Sequence, residues 1–441
     1  MADMRVVLQL RPDAELISAL ADSATGVASS DVAGELPEFA VDSAFSPVLL
    51  PDDGVRMSDS LRSDAASLVV RGEIPDDDAG AFAALSDAPG VVGVFADPII
   101  QPVLTCGGDA AVGDWKEVGT LLRRDDLRAA GLTGEGVAVA VLDTGINATK
   151  VTQISGKQIT IDAARSWNPA GVTGTAGKFE VDHGTMCAFD ALIAAPEASF
   201  IDIPLLRSTR EGGSELDGLL SDALAAFAHL RRVLDEQPAE RRALVISNSW
   251  GSFSPRWDFP VGQPGNYSDN PNHPFNVIVG SLDAAGADIL FAAGNCGRDC
   301  PDGRCAYPER PISGANSHPS VLSVGGVDTT GQRVGYSSQG PGRLSERKPD
   351  ICSYTHFLGS TAFGANEPDT GTSAACPVLA GLVGAIRTEW SATALPPAKL
   401  RELLFRTATD KGGNGFDHDY GHGIADAGAL LAELEEIGKR A

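Results

Sequence analysis

The sequence predicts an α/β protein with a mostly parallel β-sheet flanked by helices, preceded by a small α+β unit of the ferredoxin-like kind. Three observations carry that expectation. Beyond residue 115, apolar strands alternate with longer amphipathic helices, the pattern of parallel strands joined by crossovers. Residues 137–142 (VAVAVL) are apolar on both faces, as a strand covered on both sides must be. The first hundred residues instead read strand, helix, strand, helix, strand, and the polar, glycine-bearing stretch after Thr105 looks like a linker. The division that follows is 1–104 for the small unit, 105–114 for the linker and 115–441 for the larger domain.

Taken in order, residues 4–10 alternate as a strand and 14–21 read as a short helix. Residues 25–64 are loop-rich, with a further strand near 45–50. Residues 67–72 form a strand, and 76–86 a helix whose acidic first turn suits the helix dipole. Residues 91–103 run extended, interrupted by Asp97-Pro98. In the larger domain Leu216, Leu219, Leu220, Ala223, Leu224, Phe227 and Leu230 recur at helical spacing, so 215–235 is an amphipathic helix. Residues 243–246, 289–292 and 321–324 are strands. Two more apolar helical stretches open at His183 and after Gly371-Thr372-Ser373, the second with Pro377 near its first turn, where proline is tolerated.

The 441 residues suffice for two or three domains and a self-sufficient core. Lys and Arg number 34 against 59 Asp and Glu, a net charge of −25. That sign repels phosphate backbones and argues against a nucleic-acid partner. No apolar run approaches the ~18 residues of a membrane span, so no membrane partner is expected. The N-terminus lacks the basic start, apolar core and cleavage site of a secretory signal. The expectation is therefore a cytoplasmic protein, or a secreted one whose signal was removed from the sequence. Seven cysteines, an odd number in a long chain, read by default as free thiols.

Chemistry-bearing residues follow the strands. The strand at 137–142 ends in Asp143-Thr144-Gly145, that at 243–246 in Ser247-Asn248-Ser249-Trp250-Gly251, and that at 289–292 in Ala293-Gly294-Asn295. The carboxyl ends of parallel strands are where open α/β sheets build sites. His183 and Ser373 each open a helix. An Asp, a His and a Ser on separate elements are what nucleophilic acyl transfer requires, because serine needs an imidazole to take its proton and the imidazole needs a carboxylate to orient it. A serine at a helix N-terminus also brings backbone N–H groups and a positive dipole end to a developing oxyanion.

These blocks resemble the subtilisin-like serine peptidases, the subtilase family. The order Asp143, His183, Ser373 is the family's, and the matching blocks are VLDTGI at 141–146, DHGTMCA at 182–188, SNSWG at 247–251, AAGN at 292–295, GTSAACP at 371–377 and DYGHGIADA at 419–427. The resemblance implies a subtilisin-like catalytic domain over 115–441, with Ser373 as nucleophile, His183 as base and then acid, and Asp143 as orienting carboxylate. It implies that Asn295 donates to the oxyanion beside the Ser373 N–H. It also implies that Ser249, Trp250 and Gly251 line the substrate edge and wall the first specificity pocket. The partner is then a peptide or protein substrate. No cofactor is implied. Structural calcium occurs in the family, but no loop here is specific enough to assign ligands.

Residues 87–95 (DAPGVVGVF) are similar to the end of many subtilase propeptides, which assist folding and lay their tail into the cleft like a product. On that resemblance the N-terminal unit acts in cis on the cleft, with the cut within 102–113; the alternative is a permanent docking domain. The function expected is a serine endopeptidase that processes itself or matures a dedicated partner. The alternative from another class is a pseudoprotease that binds peptides without turnover. An esterase of the α/β-hydrolase type is disfavoured, for want of G-x-S-x-G. Cys187, four residues after His183, and Cys376 read as buried small hydrophobes. Cys296, Cys300 and Cys305 lack the usual zinc spacing, which leaves one bracing disulfide, free thiols or an irregular metal knot open. His418 and His422, with Asp417 and Asp419, read as structural.

Overall fold

A computed structural model of the chain describes residues 3–12, 16, 27–34, 36–50, 67–75, 79–102, 105, 110–207, 216–307 and 309–440. In the N-terminal unit, β1 (Asp3–Leu10) runs antiparallel between β4 (Ser67–Pro75) and β5 (Val91–Ala96), while β2 (Ala40–Val41) and β3 (Val48–Leu50) pair with β4. Side chains alternate across a strand, and both faces of this sheet are used. Val6, Leu8, Val70, Ile74 and Val94 pack with Leu85 of the helix Ala79–Ser86. Val7, Val48, Leu50, Val69 and Phe95 face the other way and share a cluster with Phe227, Trp250, Tyr267 and Phe275 of the larger domain. The two units are thus joined by apolar burial. The helix expected at 14–21 and the first turn at 76–78 lie outside the described residues, apart from Leu16.

The strand β6 (Ile99–Pro102) leaves this unit and lies between two short strands of the larger domain, β10 (Gly218–Leu219) and β12 (Trp250–Gly251), antiparallel to both. The main sheet consists of β7 (Ala138–Leu142), β8 (Thr160–Ile161), β9 (Ser199–Ile203), β11 (Leu244–Asn248), β13 (Ala287–Ala292), β14 (Leu322–Val327) and β15 (Ile351–Tyr354). Its order is β15-β14-β13-β11-β7-β9-β8 and every pairing is parallel. From β7 the chain first builds outward through β8 and β9, then returns to β11 and builds the other way. The crevice opens at such a reversal, beyond the carboxyl ends of β7 and β11. VAVAVL is buried on both faces as expected: Val139 and Val141 join one apolar cluster, Ala138, Ala140 and Leu142 the other.

Two helices, His183–Leu192 and Thr372–Arg387, are buried at every residue, which their small and apolar composition permits all round. The helix predicted from 215 begins at Leu220, because Gly218 and Leu219 are committed to pairing with β6. Its first turn is capped from outside: the Asp97 carboxylate accepts from Ser221 N and Ser221 Oγ, both at 2.8 Å. Pro377 sits inside the Thr372–Arg387 helix rather than in its first turn. No helix among the described residues is long and apolar enough to cross a membrane.

The His183 and Ser373 helices cross at Gly381, where an added Cβ would stand 2.1 Å from the Ala191 carbonyl oxygen. Helix propensity alone would make Gly381→Ala stabilising by about 1 kcal/mol. The contact reverses the sign. The variant is expected to lose about 1–3 kcal/mol or more, read as a lower urea midpoint; an unchanged or raised midpoint would contradict the crossing.

Candidate active site

Each candidate side chain is delivered by the end of a regular element. Asp143 follows β7 and is buried. His183 is the first residue of its helix, whose N-cap Asp182 accepts from His183 N at 2.7 Å, so the imidazole is set at a fixed helix start. Its Nδ1 lies 2.8 Å from Asp143 Oδ1 and 2.9 Å from Oδ2. Burial works against a charged imidazole, but the Asp143 carboxylate, helped by Asp182, outweighs it and holds the His183 pKa above the ordinary histidine value. Nε2 is buried and takes no hydrogen bond among the described residues.

Ser373 is the second residue of its helix, and its Oγ lies 3.4 Å from the Ser249 carbonyl oxygen. Pro377 has no N–H to give to the carbonyl four residues back, which is that of Ser373. Two side chains substitute: Ser249 Oγ donates to the Ser373 oxygen at 3.1 Å and Cys187 Sγ approaches it at 3.5 Å. The Cys187 sulfur is also 3.6 Å from Asp143 Oδ2 and 3.8 Å from His183 Nδ1, so one buried thiol touches all three candidate residues. Asn295, three residues past β13, accepts from Thr372 N at 2.9 Å and Thr372 Oγ1 at 3.0 Å through its Oδ1. That commits the amide oxygen and turns Nδ2 to the side of Gly371, where a Cβ would come within 2.8 Å of it. Gly371 has φ +81°, a left-handed conformation, so glycine there meets both demands.

The SNSWG segment supplies a strand edge. Ser249 holds the Ser373 carbonyl as described. The Trp250 indole is wholly buried against Phe275 and Phe291, so Trp250 and Gly251 face the cleft through their backbones, paired with Pro102 and Gln101. Beyond the cleft the chain is held again: His356 Nε2 lies 3.1 Å from the Ala110 carbonyl oxygen and Val112 N donates to the His356 carbonyl at 2.8 Å. Residues 103, 104 and 106–109 lie outside the described set.

Two groups escaped the sequence reading. Asp190, on the His183 helix, and Asp369 are buried carboxyls close to one another, and burial raises both; Asp369 is pushed up to about 6. No local pattern signals a pair 179 residues apart. The second is Asp217 with Arg304, which meet at Gln101 from opposite sides. Of the cysteines, Cys296 and Cys305 form a disulfide with Cα atoms 5.7 Å apart, and Cys300 is also disulfide-bonded. His422 stacks on Phe405 at 4.5 Å and Asp417 accepts backbone N–H bonds within its own loop. Among the described residues, Asp143, His183 and Cys187 alone converge closely enough to offer three metal-ligating atoms.

Cys187, Cys352 and Cys376 are buried free thiols, and burial raises the pKa of each, that of Cys376 to about 12. Alkylation at pH 8 followed by peptide mapping is expected to leave all three unmodified in the folded protein and to modify them in urea. Rapid native modification of Cys187 would contradict its position beneath the three residues.

The model of the subtilase family matches residues 134–423, well over half of the chain. Subtilisin DY of Bacillus licheniformis is 26% identical over 317 residues, covering 70% of this chain and 96% of that protein. Mycosin-1 of Mycobacterium tuberculosis is 27% identical over 334 residues, covering 68% of this chain and 69% of that one. The crystal structure of MycP1 from the ESX-1 type VII secretion system is similar in fold, with a TM-score of 0.50 at 20% identity over 76% of this chain and 90% of that chain. Nothing among these relatives favours a binding scaffold without turnover. The chain belongs to the subtilase family and is a subtilisin-like serine endopeptidase.

Proposed function

We propose that the protein cleaves its own chain after the N-terminal unit and then acts as a maturation protease on peptide or protein substrates, through an acyl-enzyme on Ser373. One observation carries the self-processing reading. The segment Ile99–Pro102 fills the cleft as a third antiparallel strand, with Ile100 opposite Gly218, Gln101 opposite Gly251 and Pro102 opposite Trp250. A substrate strand would bind a sheet edge in this way, with backbone bonds giving affinity. Pro102 stands opposite Trp250, one residue from Ser249, whose carbonyl accepts from the Ser373 hydroxyl. The bond after Val103 is therefore the expected cut, inside the 102–113 window. Residues 1–104 act on this reading as a cis inhibitor and folding aid, 105–114 as the linker and 115–441 as the catalytic domain.

In the proposed reaction His183 Nε2 takes the Ser373 proton as Oγ attacks the carbonyl, and later returns a proton to the leaving amine. Asp143 holds the imidazole tautomer through Nδ1 and stabilises the imidazolium. Asn295 Nδ2 and the Ser373 N–H stabilise the oxyanion. Side chains and backbone supply every step, so the reading needs no cofactor. Of the two locations left open, the Cys296–Cys305 disulfide supports the secreted one, because such bonds persist in oxidising compartments.

The intact mass of wild type beside Ser373→Ala tests the reading. Wild type is expected to arrive shortened near residue 103 while Ser373→Ala stays whole. Both whole would overturn self-processing, and both cut alike would assign the cut to another protease. Asn295→Leu is expected to lower kcat by about 10²–10³ with little change in KM.

The pH profile follows from the sign of the His183 shift. The base works only as neutral imidazole, so kcat/KM rises with pH through the His183 pKa, with a midpoint above the ~6.5 of a free histidine. Asp143→Asn removes the charge that raises it. That variant is expected to lose about 10⁴ in kcat and to move the acid limb to lower pH; an unmoved limb would assign it to another group.

A further inference from the structure

We propose that Asp217 and Arg304 form a substrate subsite that reads a primary carboxamide, a glutamine, at the third residue before the cut bond. The inference rests on the reading that Ile99–Pro102 occupies the cleft as substrate does, and deepens it by naming the side chain the site selects.

The Gln101 carboxamide is held at both ends. Its Nε2 donates to Asp217 Oδ1 at 2.6 Å, and its Oε1 accepts from Arg304 Nη1 at 3.1 Å. Arg304 Nη2 also donates to the Pro102 carbonyl at 2.7 Å, which fixes the backbone next to the side chain being read. An acceptor on one side and a donor on the other match a carboxamide and no other common side chain of that length. A glutamate would set its second oxygen against Asp217. A lysine would set its ammonium against Arg304. A methionine of similar length would forfeit both bonds to Gln101, and a site that hydrogen-bonds a substrate group disfavours the analogue lacking it.

The reading groups are themselves held. Asp217 is largely buried, just before β10. The Arg304 guanidinium lies over the Phe253 ring, 5.2 Å from its centroid, and its Nε and Nη2 bond the Asp302 carboxylate at 3.1 and 2.6 Å. Asp302 N donates to the Asn295 carbonyl at 2.8 Å, and the Cys296–Cys305 disulfide closes this loop. The loop begins one residue after Asn295, the proposed oxyanion donor. The cysteine-bearing segment that sequence alone left without a purpose is then the arm that carries Arg304 over the substrate strand.

The test uses internally quenched peptides spanning the sequence of residues 99–105, with the glutamine kept or replaced by methionine, glutamate or lysine. Rates are compared as ratios of kcat/KM between peptides, so occlusion of the cleft by the protein's own N-terminal unit cancels. Wild type is expected to prefer glutamine over methionine by about 10- to 100-fold, and to reject glutamate and lysine more strongly. Asp217→Asn is expected to raise the glutamate peptide relative to glutamine by about 10-fold, and Arg304→Met to raise lysine relative to glutamine. A merely structural role would slow all peptides alike. Cleavage without preference at this position, or ratios that neither variant moves, overturns the subsite alone. Wild type that cleaves no peptide and matches Ser373→Ala overturns the peptidase reading and the subsite with it.

Discussion

The constraint on which the site depends is the crossing of two buried helices. With no side chain at Gly381, the Ser373 helix settles directly onto the Ala191 carbonyl of the His183 helix. Neither helix can slide without moving His183 or Ser373 relative to the other. The far end of the Ser373 helix is fixed independently: Arg387 makes a buried two-point pair with Asp288 at 2.5 and 2.7 Å, and its Nη1 donates to the Trp390 and Leu395 carbonyls. A buried pair of this kind adds little net stability over apolar packing, yet losing one partner costs about 3–5 kcal/mol, so it acts as a registration device. Pro377 adds a local consequence at the other end. Because it frees the Ser373 carbonyl, Ser249 and Cys187 can tie the first turn to β11 and to the His183 helix.

Electrostatics at the site depend on partners more than on burial. His183 and His273 are both buried, and burial alone lowers a histidine pKa. His273 has only the Ala96 carbonyl as its favourable contact and falls to about 4. His183 has a carboxylate at 2.8 Å and ends above the ordinary value. The difference between a structural histidine and a base useful near neutrality is chiefly the aspartate after β7, with Asp182 adding to it. The same burial keeps the Cys187 thiol protonated, so it fills space beneath the three residues and donates weakly, while nucleophilic character stays with a serine that has a base nearby.

What was legible in the sequence was whatever repeats locally or follows a strand. The two-sided apolarity of VAVAVL, the helical spacing from Leu216 to Leu230 and the polar residues after each strand all reflect the main sheet and its crevice. What escaped was set by distant pairing. The helix start moved from 215 to Leu220 because Ile99 and Ile100 pair with Leu219 and Gly218 more than a hundred residues away. That the Trp250 side chain goes to the core while its backbone pairs with Pro102 follows from the alternation of side chains across a strand, which a two-residue strand does not announce. Among three cysteines, spacing could not choose the 296–305 pair. Asp217 and Arg304 carry no motif at all; only the strand between them gives them a common purpose.

The N-terminal unit also shows how affinity and recognition are separated. Its docking has contacts besides the cleft strand: the second face of its sheet is buried against the larger domain, and Arg71 bridges Asp42 and Asp222 while Asp97 caps the helix at Ser221. Those contacts hold Ile99–Pro102 beside the site at the high effective concentration of a tethered segment, on the order of millimolar. The strand in the cleft therefore does not depend on its own side-chain bonds alone. On the proposed reading, the cut would leave that docking surface intact, so the unit would remain bound as a product until those contacts opened. A substrate arriving in trans has none of them. It must gain its hold from backbone pairing with β10 and β12 and from whatever side-chain bonds the cleft offers, and a polar pair that reads one carboxamide then weighs more for a foreign chain than for the protein's own.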